Sequence, residues 1–329
     1  MLRIAAGPIG KRVAFPRPSL LGVGLLSLVL GLPGLVLGAE LQLRQALLEA
    51  QRDRVTATIT AVVDHLGDRA HPLSEDCDLH VPLRSREIRV PFIAELKNAC
   101  SEKPDGTSPA YWSDRIYEET HGLAVSVTGV FRIWLEHPPP GDVVQTEAER
   151  VPLYTNSNPD HQVELHPLIR VGSLDFSGHI KRIQEGSEEY RGYGPAELGM
   201  VLNKKLTIQR IMAQGESYVR LKGTKTGYNH WNLRARVVET PEALVDGTRV
   251  RLDVRDGNQV IPGAVGLPAV TVAGTAANTK VQSLAPGNIV QFQALVRIHV
   301  PTILDQLSLT AKQIPLPVEF VLLDVELEQ

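Results

Sequence analysis

The stretch CDLHVPLRSREIRVPFIAELKNAC, residues 77–100, decides the fold. Residues 78–83 and 88–96 read as two strands with apolar and polar positions interleaved, joined by the polar turn 84–87. The only two cysteines of the chain, Cys77 and Cys100, bracket this hairpin.

Working outward, the neighbouring segments keep the same character. Residues 55–66 (VTATITAVVDHL) are dominated by β-branched side chains with no helical period, which predicts a strand. After a turn-rich loop, YWSDRIYEET predicts a short helix, and residues 123–135 (LAVSVTGVFRIWL) form the longest strand candidate, with Gly129 as a bulge or bend. The following loop, HPPPGDVVQTEAERVPLYTNSNPD, is long for a compact domain. Residues 162–171 (QVELHPLIRV) close the set. Five strands with a helix between the third and fourth is the element order of an OB-fold, a partly open five-stranded barrel, so residues 55–175 are expected to be one.

On either side lie different textures. Residues 40–54 (ELQLRQALLEAQRDR) are rich in helix formers and predict a short amphipathic helix or a stalk. Residues 176–205 are polar and Gly-rich with one helix near 195–203, and mark the domain boundary. Strands expected at 206–212, 218–224, 231–239, 248–254, 269–273, 289–300 and 318–327 make residues 206–329 a second antiparallel β domain, OB-like in element order alone. The fold class is therefore mainly β: two consecutive antiparallel β-barrel-like domains, the first OB-fold-like.

The N-terminus supplies the compartment. Arg3, Lys11, Arg12 and Arg17 precede an uncharged run, residues 19–39, that ends in small residues. This is the layout of a secretory signal, residues 1–39, with an uncleaved membrane anchor as the alternative because the run just reaches spanning length. Either way the remainder is expected outside the cytoplasm: periplasmic, cell-surface or secreted. In such a compartment two cysteines predict one disulfide, Cys77–Cys100, the plainer alternative being two buried thiols.

Charge narrows the partners. Without residues 1–39 the chain keeps 30 of its 34 Lys and Arg and all 37 Asp and Glu. The excess acid lies in residues 40–205, while 206–329 hold 12 basic and 11 acidic residues. A non-specific nucleic-acid binder needs a basic footprint to displace counterions, so nucleic acid is disfavoured as a partner.

The runs DCDLHVPL, VPFIAEL followed by Cys, VSVTGVFRIWLEHP and ELHPLIRV resemble a family of exported bacterial OB-like domains. That family shares an Asp-x-His strand, a Glu-containing strand ending in Cys, a V-x-G-V strand and a closing E-x-H-P. Asp78, His80, Glu95, Cys100, Gly129, Val130, Glu164, His166 and Pro167 match, over about 100 residues. The resemblance implies an OB-like fold and export, and nothing about chemistry.

Two constellations are candidate sites. Asp78 and His80 share one strand face, as do Glu164 and His166, with His137 nearby; together they could offer nitrogen and oxygen ligands to zinc or another divalent ion, and so drive hydrolysis. The plainer reading is that each carboxylate orients a histidine and ties loops to strand ends, with no cofactor. The second constellation is basic: Arg220/Lys222, Arg234/Arg236 and Arg249/Arg251 stand at i, i+2 on three strands, with Tyr228 and Trp231 at their edge, a pattern suited to single-stranded nucleic acid or an anionic polysaccharide. Its plainer reading is a solvated sheet face. No GxSxG, SxxK, HExxH, GxGxxG or P-loop occurs. The sequence thus points away from an enzyme and towards non-catalytic binding of an envelope ligand, a polysaccharide, peptide or protein, with membrane contact only through residues 19–39 if they stay attached.

Overall fold

Strands of the first half carry apolar side chains at alternate positions, and the fold turns those positions inward. The computed structural model describes residues 39–65, 67–145 and 153–328. Its first half holds β1 (Ala39–Arg44), α1 (Gln45–Ala50), β2 (Thr56–Val63), β3 (Leu79–Arg84), β4 (Phe92–Leu96), α2 (Tyr111–Thr120), β5 (Ala124–His137), β6 (Val143–Val144), β7 (His161–Val171) and β8 (Leu174–Asp175). Two short strands, β9 (Gln184–Glu185) and β10 (Glu188–Glu189), and the helix α3 (Pro195–Leu202) lead to the second half. There follow β11 (Lys205–Ala213), β12 (Glu216–Gly223), β13 (His230–Val237), β14 (Glu242–Leu244), β15 (Gly247–Asp256), β16 (Gln259–Val260) and β17 (Leu267–Val272). The chain ends with α4 (Ala276–Gln282), β18 (Ile289–Ile298), α5 (Val300–Asp305), β19 (Lys312–Pro315) and β20 (Val318–Leu327).

The protein is mainly β, as its composition and strand patterns predict, with 46% strand against 14% helix among the described residues. The first five long strands pair in the order β4-β3-β2-β5-β7, and a parallel pairing of β4 with β7 closes them into a ring. Ile59, Val81, Phe92, Phe131 and Leu165 point into that ring and are buried. The helix α2 sits between the third and fourth ring strands, where an OB-like element order requires it. The second half repeats the arrangement: β13-β18-β20-β17-β15 close through a β13–β15 pairing, β17 runs parallel to β20, and α4 lies between the third and fourth strands. Two OB-like rings therefore follow one another. Gly129 forms the expected irregularity, with the β5–β7 register shifting on either side of it. A Cβ there would lie 2.7 Å from the Cβ of Leu165, so only glycine lets the strands approach.

A third sheet was not foreseen. Its order is β19-β11-β12-β1-β6, so it takes strands from both ends of the chain and from the long loop of the first ring. This corrects the expectation of a helix over residues 40–54: Ala39–Arg44 is a strand paired with β12, and only Gln45–Ala50 is helical. Helix-forming composition yields to tertiary context here. Leu41 and Leu43, two residues apart, are fully buried on one face, while Glu40 on the other face lies 2.9 Å from Arg220. The long loop is anchored too, since Val143–Val144 pairs with β1 and Gln145 accepts a bond from the Arg44 amide at 2.7 Å.

The segment 176–205 contains the expected helix, α3, and packs between the rings: Phe176, Ile180 and Ile183 are buried. The disulfide Cys77–Cys100 is present, joining the start of β3 to the turn after β4. The signal or anchor reading of residues 1–39 lies, apart from Ala39, outside the described residues. Among the described residues no helix is long and apolar enough to cross a membrane.

Candidate functional site

Because inward and outward side chains alternate, the outer faces of β3, β4, β5 and β7 carry the polar residues of those strands. In the first ring these are not solvated. Lys97, Asp78, His166, Glu164 and Arg132 have at most 1% of their surface exposed. Lys97 Nζ lies 2.5 Å from Asp78 Oδ1 and donates to Oδ2 at 2.6 Å, and it stands 2.5 Å from Nε2 of His230, a residue of the second ring. His166 Nε2 is 3.4 Å from Asp78, and its Nδ1 is 2.9 Å from Glu95 and 3.3 Å from Glu164. Arg132 pairs with Glu164, and His161 Nε2 reaches the same carboxylate at 3.2 Å. The far side of Arg132 crosses to the second half, donating to the carbonyl of Val296 at 2.7 Å and to Asn229 at 2.6 Å. A continuous band of charge therefore fills the seam between the two rings.

Electrostatics explain why burial is tolerated. Burial alone pushes the His166 imidazole down, but Glu95, Asp78 and Glu164 around it win and raise it to about 10. It is accordingly a cation at neutral pH. Burial pushes Glu95 up, and His166 beside it more than offsets this, leaving it at about 2. Glu164 is likewise held well below its usual range against its own burial by Arg132 and the two histidines. Burial raises Asp78, the nearby Lys97 ammonium opposing it. His230 is driven down by burial and then by Lys97, and so serves as a neutral acceptor. Three carboxyl groups thus face three cationic groups, Lys97, Arg132 and His166. A buried ionic cluster balanced in this way holds parts together at little net gain over apolar packing, while removal of any one member leaves an uncompensated charge.

The donor sets that could hold a metal ion lie inside this band. Asp78, His166 and His230 form one group of three, and Glu95, Glu164 and His166 another, with donor atoms within 4.8 Å of one another. In both sets a cation of the chain already stands among the donors. The Lys97 ammonium already occupies the position between Asp78 and His230, and Arg132 occupies that beside Glu164. Of the sequence candidates, Asp78, Glu164 and His166 meet around one imidazole. His80 instead faces Glu95 at 3.7 Å, with the ring of His71 edge-on at 4.6 Å. His137 stands against the ring of His161, 5.5 Å between centroids, where burial lowers its pKa.

The basic constellation is divided. Arg220 and Lys222 belong to β12 in the third sheet, where both face Glu40. Arg234 and Arg236 lie on β13 and Arg249 and Arg251 on the neighbouring β15, all on the outer face of the second ring. Arg234 is held bidentately by Glu328 and Arg236 by the buried Asp253, at 2.7 Å in each case. Trp231 is fully buried inside the ring, and Tyr228 packs half-buried against it, so neither offers a free stacking platform. Arg249 and Arg251 differ: their partners Asp53, Glu242 and Glu239 are exposed carboxylates at 3.3–3.9 Å, contacts worth about 0–1 kcal/mol each.

Those two arginines line a cleft of about 630 Å³ on the β15–β17 face. Its opposite wall comes from α5 and the link around β19, including Pro301, Pro315 and Pro317. Lys205 joins the lining from β11 and makes no side-chain hydrogen bond or ion pair among the described residues.

Sequence reading missed Lys97, Arg132, His161 and His230, and carried Glu95 only through the family resemblance. One signal for the strand residues was available: VFRIWL and IAELK place ionisable groups in apolar strands, which is costly unless a partner is buried alongside. The partner on the other ring has no sequence signature.

No protein-family model and no curated protein matches the chain. Among solved structures, it is similar to a deletion mutant of the single-stranded DNA binding protein from Thermus aquaticus, at 12% identity over 83% of this chain and 92% of that one, with a TM-score of 0.22. A likeness at that level carries no argument about ligand or chemistry.

Proposed function

We propose that the protein is an exported, non-catalytic binding protein of the cell envelope, which takes its ligand on the outer face of the second ring. One observation carries this reading. The strand face by which OB-like barrels meet polymers is partly open on the second ring along β15, where Arg251 is exposed, Arg249 is partly exposed and both border the cleft, while β17 beside it is buried. On the first ring the outer faces of β3 and β4 are buried. Export is supported by the basic lead and uncharged run of residues 1–39 and by a disulfide that suits an oxidising compartment.

The alternatives have less support. A divalent metal such as zinc at Asp78, His166 and His230 would have to displace Lys97, and a hydrolase built on it would work in a seam closed by the second ring. Single-stranded nucleic acid would need exposed aromatic platforms and free cations, whereas Trp231 is buried and Arg234 and Arg236 are committed to carboxylates. The test is a panel of envelope polysaccharides, peptides and nucleic acids screened against the purified full chain. Saturable binding without turnover is expected; turnover of any polymer would overturn the reading, as would a chain retained in the cytoplasm.

A further inference from the structure

We infer that the cleft between β15–β17 and the α5–β19 wall is built for an acidic polysaccharide, whose carboxylates are taken by Arg249, Arg251 and Lys205. This rests on the binding reading above and names its ligand class.

The charge comes first. Three cations line the cleft against Asp53 and Asp305, and Asp305 is already occupied by Arg52 at 2.6 Å. Arg249 Nε is buried without a hydrogen-bond partner, and the carboxylates near Arg249 and Arg251 are solvent-exposed ends that an incoming anion replaces at small cost. Arg251 also donates to the carbonyl of Gly266 at 3.1 Å, which holds its guanidinium against the rim.

Two further features select among anions. Apart from His299, no residue lining the cleft has an aromatic ring, so nucleic-acid bases find nothing to stack on. The wall strand β19 bears Pro315 and Lys312 on an outer edge of its sheet, which leaves a gap in the row of amide donors that a peptide would pair with as an added strand. What remains is a rigid apolar wall of prolines facing guanidinium groups, with Thr302 and Gln306 as hydroxyl and amide partners. Sugar rings present apolar C–H faces to such a wall, and ring carboxylates to the cations.

The experiment measures binding of the full chain to polygalacturonate fragments, to a neutral glucan of similar length, to a single-stranded DNA oligomer and to polyglutamate. Polygalacturonate is expected to bind, weakening as salt rises, and the neutral glucan not to bind. The double variant Arg251→Glu/Lys205→Glu, both exposed positions, should lose at least tenfold in affinity, while Arg220→Gln outside the cleft leaves it unchanged. Polygalacturonate binding that survives the double variant overturns the cleft assignment and leaves the binding reading standing, as does stronger binding of DNA or polyglutamate. Binding of nothing in the wider panel removes both.

Discussion

Arg132 and Arg297 clasp the two rings reciprocally. Arg132 of the first ring donates to the carbonyl of Val296, and Arg297, the next residue along, donates back to the carbonyl of Phe131 at 2.8 Å and to that of Val55 at 3.0 Å. Each guanidinium also carries a buried carboxylate of its own ring, Glu164 and Glu319. The seam is therefore specified by directional bonds to backbone as well as by the apolar cluster of Val130, Leu295, Val321 and Ile183 beside it.

Arg297→Met removes its three backbone bonds, to Val55, Phe131 and Arg54, and takes the guanidinium from Glu319, which is 2% exposed. The loss of stability should be about 3–5 kcal/mol in chemical denaturation, and the double variant Arg297→Met/Glu319→Leu should regain much of it, since an apolar pair leaves no charge unmet. A single variant as stable as the parent would show that the clasp contributes nothing.

Lys97 acts as the internal cation of the seam. Zinc or a chelator should leave the melting temperature of the parent protein unchanged. In Lys97→Ala the donor atoms of Asp78, His166 and His230 are released as a group of three, so that variant should melt higher with zinc and lower with chelator. A parent protein that contains stoichiometric metal on elemental analysis would reverse the assignment of the site.

Stability should peak in mildly acidic solution. Glu95, held at about 2 against its ordinary 4.5, contributes stability present above pH 4.5 and lost as pH falls towards 2. His166, raised from 6.5 to about 10, contributes stability that is full below pH 6.5 and lost as pH rises to 10. Glu136 at the rim, raised by burial from 4.5 to about 7, prefers its neutral form in the fold, so its ionisation weakens the protein between those values. Glu136→Gln should therefore gain on the parent by roughly 1–3 kcal/mol between pH 5 and pH 8. Urea midpoints across that range check it; parallel curves would refute the role of Glu136.

The disulfide spans 23 residues of sequence, and opening it should cost ~3 kcal/mol through the freedom regained by the unfolded chain. Cys77→Ser/Cys100→Ser should unfold at lower urea while keeping ligand affinity at the second ring. Lost affinity in a folded double variant would place the ligand on the first ring instead.

Local pattern explains which parts of this fold were legible. Alternation in VTATITAVVDHL, DLHVPL and LAVSVTGVFRIWL places strands whose ends fall within three residues of those of β2, β3 and β5, because half-buried strands must alternate. β1 was not legible: ELQLR carries the same alternation, but the helix formers after it mask a strand whose partner is 180 residues away. The helices α4 and α5 were also passed over, each being shorter than two turns of clear period. At the sites, charge-bearing residues were visible singly and their pairings were not.

The sequence by itself determined the mainly β class, the element order of the first ring, the cysteine pair and the placing of Arg249 and Arg251 on one strand face, since these depend on side-chain period and on neighbours close along the chain. Only the tertiary structure decided that Lys97 and Arg132 face His230 and Val296, and that Glu40 joins Arg220. Those contacts join residues more than a hundred positions apart. Their energies come from desolvation and from geometry in space, which no local spacing records.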